Sequence, residues 1–412
     1  KFWFRINPDA RWADGRRVTA DDVVATWFLR MDETILSPSE QVDFARFEEP
    51  VAESMYIVSV VTKEANWRNF KIFAYDNTIL PAYYVDQIDG SEFLEEYQFK
   101  LMPGSGPYTI KDENIVNQES YKLTRREDFW GKDLVQNRYR FNFDAINFFV
   151  IKGNDALTFE KYKKGEFDYY EVARSRVWVE ECVPDKIKAI DKGWMKKHRI
   201  FSDRPAGTTG YGFNMRKFPF NDINIRYAFG YLYDREKMNR EMYYNEYEMM
   251  HSWFSGTMYE NEENIKFLYN PEKAIELLNE AGWAKESGDQ WLYKDGKKFE
   301  IDMYMYAGWD RIHNYFVNDL DEVGIKLNLV VLQSPFEKFI QKTYTIHQGG
   351  WAGVSIPNSE EMLHSKYAKE IDVTNATGMA NPDIDKLLKE YNKNWDINER
   401  TIILQKIDSI AT

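Results

Sequence analysis

"NPEKAIELLNEAGW" (Asn270–Trp283) and "WLYKDGKKFEIDMYMYA" (Trp291–Ala307) together decide the fold class. In the first stretch Asn270 is a helix cap, Pro271 suits the first helical position and Gly282 stops the run. Ala274, Leu277, Leu278 and Ala281 recur at the spacing of one helical face. In the second stretch Asp295-Gly296 is a hairpin turn, after which Phe299, Ile301, Met303 and Met305 alternate as in a half-buried strand. A helix through Ile312, Phe316 and Leu320 to Gly324, then the strand "IKLNLVVL", continue the pattern. Helices and strands interleaved in this way predict a mixed α/β domain.

Towards the N-terminus, "KFWFRI" alternates like a strand and is followed by turns at Asn7-Pro8 and Asp14-Gly15. "TADDVVATWFLRM" predicts a helix over 19–31, with Thr19 and Asp22 as a capping box and Val23, Val24, Trp27, Phe28 and Met31 facing the core. "EEPVAESMYIVSVVTKE" reads as a strand pair, and Pro103, Gly104, Gly106 and Pro107 as a turn at a domain crossing. "YKLTRREDFWGKD" and "FDAINFFVIKG" read as strands, and "ALTFEKYKKGEFDYYEV" as a helix stopped by Gly165 and followed by a strand. In "TTGYGFNM" glycines sit inside an extended run, which marks a place where something approaches the backbone closely; a second crossing is expected there. "NPDIDKLLKEYNKN" repeats the Asn-Pro helix start at Asn381-Pro382.

The chain has 412 residues, enough for two or three domains, and 43% hydrophobic residues, as in globular proteins. Its net charge of −13 argues against a nucleic-acid partner, because phosphate binding needs a basic face. No apolar run approaches the roughly 20 residues that cross a bilayer. Cys182 is the only cysteine and leaves the compartment undecided, while the opening "KFWFRINPDARW" suggests a processed or truncated chain. His198, His251, His313, His347 and His364 lack metal-ligand spacing, and nucleophile elbows, phosphate loops and dinucleotide fingerprints are absent. No catalytic residue, metal or cofactor is therefore expected. The 27 Tyr, 27 Phe and 13 Trp exceed what a core needs and suggest an aromatic-lined cleft. A secreted carbohydrate-active enzyme with two opposed carboxylates stays open, because spacing cannot show which acids face each other.

Four segments occur in the order found in one family: "ARWADGRRVTADDVVATW" (Ala10–Trp27), "GSGPYTI" (Gly104–Ile110), "FNMRKFPFNDINIRYAFGYLYDRE" (Phe213–Glu236) and "YNPEKAIELLNEAGW" (Tyr269–Trp283). They resemble the family 5 extracellular solute-binding proteins, the dipeptide and oligopeptide receptors of ABC importers. "REDFWGKDL", "RYRFNFDAI", "RPAGTTGYGFNMRKFPF" and "NATGMANPDIDKLL" resemble its YejA-like branch, associated with oligopeptides and peptide-nucleotide antibiotics. The resemblance implies an α/β fold of two lobes around a cleft, with an extra small domain. Residues 1–104 would be most of that domain, 105–205 part of the first lobe and 206–412 the second lobe, with segments of the first lobe lying beyond both ends. It further implies a monomer, periplasmic or lipid-anchored outside the cell, that delivers an oligopeptide or peptide-like ligand to membrane permease subunits. A receptor of the same fold for a sugar, opine or metal chelate is the nearest alternative.

The family's peptide receptors carry an aspartate for the ligand's amino terminus shortly after a Gly-Trp pair. Here Gly350-Trp351 is present, but Val354 and its neighbours occupy that region, and "SIPNSEE" (Ser355–Glu361) resembles the corresponding stretch of the YejA-like branch. The expectation is that Trp351 walls the pocket, Ser355 and Asn358 bond ligand backbone, and Glu360 meets a cationic group. Tyr211 and Asn214 of "RPAGTTGYGFN" are expected to face the ligand, with Arg204 pairing a carboxylate or phosphate. Trp253 and Phe254 of "HSWFSG" are a third aromatic candidate. The bland alternative for each is packing or a structural ion pair.

Overall fold

A computed structural model describes residues 1–153, 155–371 and 374–412. The chain forms two compact units, Lys1–Tyr169 and Tyr170–Thr412.

In the first unit, β1 (Phe2–Arg5), β2 (Val51–Ser54) and β3 (Ile57–Val60) make an antiparallel sheet in the order β1-β3-β2. Helix α1 (Ala20–Met31) starts as expected, with the Asp22 carboxylate reaching back to the Thr19 backbone N–H at 2.7 Å. Its packing differs from the single predicted face. Ala20 and Val23 join Val58, Val60, Phe47 and Phe73, while Ala25 and Leu29 join a second cluster with Ile35 and Val85. Two buried sides rotate Phe28 outward, so it is 48% exposed rather than in the core. A second sheet has β6 (Ser120–Arg125) paired with β4 (Tyr108–Thr109), β5 (Ile115–Val116) and β7 (Ala145–Phe149), all antiparallel. Helix α2 (Asp155–Lys163) stops before Gly165, whose φ of +78° is left-handed. The strand expected after Gly165 does not form among the described residues; the boundary between the units, at Tyr169/Tyr170, falls there.

The second unit contains β8 (Thr208–Phe213), α3 (Ile223–Leu232), α4 (Pro271–Glu280), β9 (Ala284–Lys285), β10 (Leu292–Lys294) and β11 (Lys297–Lys298). It continues through β12 (Glu300–Met305), α5 (Asp310–Val323), β13 (Lys326–Val331), α6 (Pro335–Ile340), β14 (Ile346–Trp351), α7 (Pro382–Lys393) and α8 (Ile397–Ala411). The main sheet runs β13-β12-β14-β8, with β12 parallel to β13 and β14, and β14 antiparallel to β8. Parallel β12 and β13 require a crossover, and α5 supplies it.

Local chemistry fixes these elements as the sequence predicts. The Asn270 side chain accepts from Lys273 N at 3.0 Å to cap α4, and Gly282 leaves the helix at φ +86°. Asp295 (φ +51°) and Gly296 (φ +70°) form the tight turn between β10 and β11, which asks for two left-handed residues. Phe299, Ile301, Met303 and Met305 are all buried, and the first three pack with Leu278, Trp283, Phe316, Leu320 and Ile346 into the unit's core. Trp283 and Phe299 stack with ring centres 4.1 Å apart.

Gly324 ends α5 at φ +99°, where a Cβ would lie 2.5 Å from the Gln290 carbonyl oxygen. Gly296 has left-handed backbone but nothing within 4 Å of its missing Cβ. Gly324→Ala should therefore cost about 3 kcal/mol, combining backbone strain with a clash that the main chain must relieve. Gly296→Ala should cost about 1 kcal/mol, from strain alone. Urea unfolding of both variants reads the difference, and equal losses would contradict this account of Gly324.

Candidate functional site

The pairing of β8 with β14 sets which side chains share a face. His347, Gly349 and Trp351 lie opposite Gly212, Gly210 and Thr208, and because side chains alternate, these six share one face. The other face carries Ile346 with Phe213 and Tyr211, which pack on the core. On the first face, the middle positions are glycines on both strands. A Cβ on Gly210 would meet nothing within 4 Å, and one on Gly349 would touch only the His347 ring, at 3.2 Å. The result is a floor of bare backbone between Trp351 and His347.

Aromatic rings surround this floor. Trp351 packs against Trp253 with centroids 4.8 Å apart and planes at 48°, and Phe339 of α6 lies 4.5 Å from the His347 ring. Trp253 is held at three points. Its backbone N–H donates to the Asp408 carboxylate (2.8 Å), its indole N–H to the Ala411 carbonyl (3.0 Å), and its carbonyl accepts from the Thr208 hydroxyl (2.8 Å).

β8 is the last strand of the sheet, so among the described residues no further strand pairs with its outer edge. Asn214 N donates to the Thr345 carbonyl at 3.0 Å, just beyond the strand pair. Antiparallel alternation then turns the N–H and C=O groups of Gly212 and Gly210 towards β14, and those of Thr209 and Tyr211 away from it.

The loop after β14 lies against the segment before β8. A Cβ on Gly353 would sit 2.0 Å from the Pro205 carbonyl oxygen, and one on Gly207 would sit 2.3 Å from the Trp351 carbonyl oxygen. Only glycine permits that approach. Farther along, the Ser355 carbonyl accepts from the Tyr259 hydroxyl (3.2 Å) and the Pro357 carbonyl from Tyr391 (2.9 Å). Val354 is 50% exposed at the tip.

The sequence-derived candidates divide. Trp351, Trp253 and Ser355, the last exposed, belong to this corner, and half-buried Asn358 follows three residues later on the same loop. Arg204 is exposed beside it, with no ion-pair partner for its guanidinium among the described residues. The others are committed within the unit. Asn214 is fully buried, and its amide donates to the carbonyls of Lys342 (3.0 Å) and Tyr344 (2.8 Å). Tyr211 stacks on Phe316 and puts its hydroxyl 2.9 Å from His313 Nδ1; burial pushes that hydroxyl well above its usual range. Phe254 is buried against Tyr259. Glu360 does meet a cation, but it is the chain's own: Lys366 Nζ lies 2.9 Å from one oxygen, and Asn392 donates to the other at 2.9 Å.

Asp408, Phe339 and Thr208 escaped the sequence reading. The one available signal for Asp408 is its place four residues after buried Leu404 and next to buried Ile407, an acid on the apolar stripe of α8.

Two histidines are buried here. Burial lowers His313 and His347 to about 4 each, with mutual repulsion adding to the effect on His347, and His347 Nδ1 has no hydrogen-bond partner among the described residues. Both rings are neutral in the folded protein at pH 7, whereas the unfolded chain takes up protons below about pH 6.5. Stability should be flat above that pH and fall as pH drops towards 4, by roughly 2 kcal/mol per histidine between pH 6.5 and 5. Urea titrations at pH 7.5 and 5 measure it, and His347→Phe should remove about half of the slope. Glu360→Gln should lower stability by about 1 kcal/mol and leave ligand affinity unchanged; calorimetry that finds lost affinity would return Glu360 to the ligand.

Residues 1–372 match the family model described as bacterial extracellular solute-binding proteins, family 5 middle. The uncharacterized protein y4wM of Sinorhizobium fredii is 24% identical over 442 residues, a match covering 94% of this chain and 63% of that protein. The probable peptide-binding protein YejA of Agrobacterium fabrum is 23% identical over 435 residues, covering 95% of this chain and 69% of its own length. Among solved structures, the oligopeptide-binding protein AppA from Bacillus subtilis in complex with a nonapeptide superposes with a TM-score of 0.82 at 20% identity, over 99% of this chain and 78% of that one. The family match over most of the chain and the shared α/β fold lead to one assignment: this chain belongs to the bacterial extracellular solute-binding proteins of family 5.

Proposed function

We propose that the chain is the substrate-binding component of an ABC importer, working outside the cytoplasmic membrane, that captures oligopeptides or peptide-like solutes and passes them unaltered to permease subunits. The observation that carries this reading is the side-chain-free floor at Gly210 and Gly349, open along the β8 edge and walled by Trp351 and Trp253. An extended peptide offers the same N–H and C=O groups whatever its sequence, and an edge strand takes it by adding one more strand. Aromatic walls contribute apolar area without selecting one side chain. In this reading Ser355 and Asn358 bond ligand main chain at the loop, and Arg204 pairs with a ligand carboxylate or phosphate. Tyr211, Asn214, Phe254 and Glu360 hold the corner from behind. Exposed Val354, where the family's peptide receptors place an acid, favours ligands that are not gripped by a buried ammonium. The division into 1–104, 105–205 and 206–412 and a monomeric state belong to the same proposal; the peptide ligand class is supported by the names of two relatives, a probable peptide-binding protein and an oligopeptide-binding protein.

Native mass spectrometry of the purified protein tests the ligand class. A bound mixture of peptides supports the reading; a single sugar or metal chelate overturns it. Gly210→Val tests the floor. A β-branched residue suits a strand and has open space here, so stability should change by less than about 1 kcal/mol. Affinity for co-purified ligand should fall about tenfold or more. Unchanged affinity would move the ligand elsewhere.

A further inference from the structure

We infer that Asp408 is a positioning residue for the ligand wall, fixing Trp253 against Trp351 from the far end of α8. The carboxylate is wholly buried, and no lysine or arginine pairs with it among the described residues. A buried carboxylate is tolerated only when its lone pairs are bonded. One oxygen of Asp408 accepts from Trp253 N (2.8 Å) and the Thr412 hydroxyl (3.3 Å). The other accepts from the Ser252 hydroxyl (2.7 Å), Asn261 N (2.9 Å) and Asn264 Nδ2 (2.7 Å).

Four of these five donors come from a single loop, 252–264, which contains no helix or strand and has only short-range bonds of its own, such as Phe254 N to the Ser252 hydroxyl (2.8 Å) and the Thr257 hydroxyl to the Phe254 carbonyl (2.7 Å). That loop lies more than a hundred residues before Asp408 in the chain, so the carboxylate closes it by long-range contacts alone. Trp253 is the aromatic residue among the groups it holds. With its backbone on Asp408 and its indole N–H on Ala411 at the end of the same helix, the ring has one orientation, tilted at 48° against Trp351. An amide at position 408 would turn N–H groups towards donors and leave at least one buried donor without an acceptor. The loop would then relax and the tryptophan pair would open. This inference rests on the corner being the ligand site only for its effect on affinity; the link from Asp408 to Trp253 stands on geometry.

The test is Asp408→Asn, with Ser252→Ala as the milder variant that removes a single donor. The near-ultraviolet circular dichroism of the tryptophan pair is isolated as the difference between wild type and Trp253→Phe. Binding is read with a mixed-sequence pentapeptide pool. Asp408→Asn should keep its far-ultraviolet spectrum, lose the pair signal and bind about tenfold more weakly, with Ser252→Ala between it and wild type. In the Trp253→Ala background Asp408→Asn should cause no further loss of affinity, since both changes act through the same ring. A pair signal that survives Asp408→Asn or, should that variant not fold, Ser252→Ala overturns the positioning role. Losses that multiply in the double variant also overturn it. A lost pair signal with unchanged affinity supports the positioning role and instead sinks the corner as the ligand site.

Discussion

The second unit depends on two main-chain segments lying closer than side chains would allow. Gly207 and Gly353 bring the approach to β8 and the exit from β14 into backbone contact, although they are far apart in the chain. Closing so long a loop costs entropy that local contacts do not return. The return comes from the β8–β14 ladder and from donors that fasten carbonyls around it: Asn214 on Lys342 and Tyr344, and Arg216 on Ala368 and Ala376. Once that contact is made, strand alternation leaves little choice. Trp351 and His347 share a face, two glycines lie between them, and the outer edge of β8 stays without a strand.

The same constraint explains why the corner combines rigidity with an undemanding surface. The aromatic side chains around the bare floor are tied down, by packing in the case of Phe339 and His347 and by hydrogen bonds in the case of Trp253. The floor itself offers only main chain. Under the proposed function, such a surface would tell an extended backbone from a compact solute by shape and discriminate little between side chains.

Local signals made much of the fold legible. The Asn-Pro helix starts, the Asp295-Gly296 turn and the alternation from Phe299 to Met305 each specify a backbone conformation through neighbours in sequence, and all three are realised. The face of α1 was misread because periodicity reports one apolar stripe, and this helix packs on two sides. The site was legible only in part. Glycines beside tryptophan in "HQGGW" mark a close approach wherever they occur, so Trp351 stood out. Whether a polar side chain is free for a ligand is a different question, set by partners distant in the chain. Asn214, Tyr211 and Glu360 look like ligand contacts in sequence, yet their bonding groups are spent on Lys342, His313 and Lys366. Asp408 shows the converse: an acid on the buried stripe of an ordinary helix, four of whose five hydrogen-bond donors come from a loop in another part of the unit.

Amide hydrogen exchange resolved to single residues of β8 addresses the central claim, with and without saturating peptide. Bonding of ligand main chain to the strand edge predicts fast exchange at Thr209 and Tyr211 in the free protein that slows on binding, while Gly210 and Gly212 are slow throughout. Unaltered exchange at Thr209 and Tyr211 in the saturated protein would contradict it.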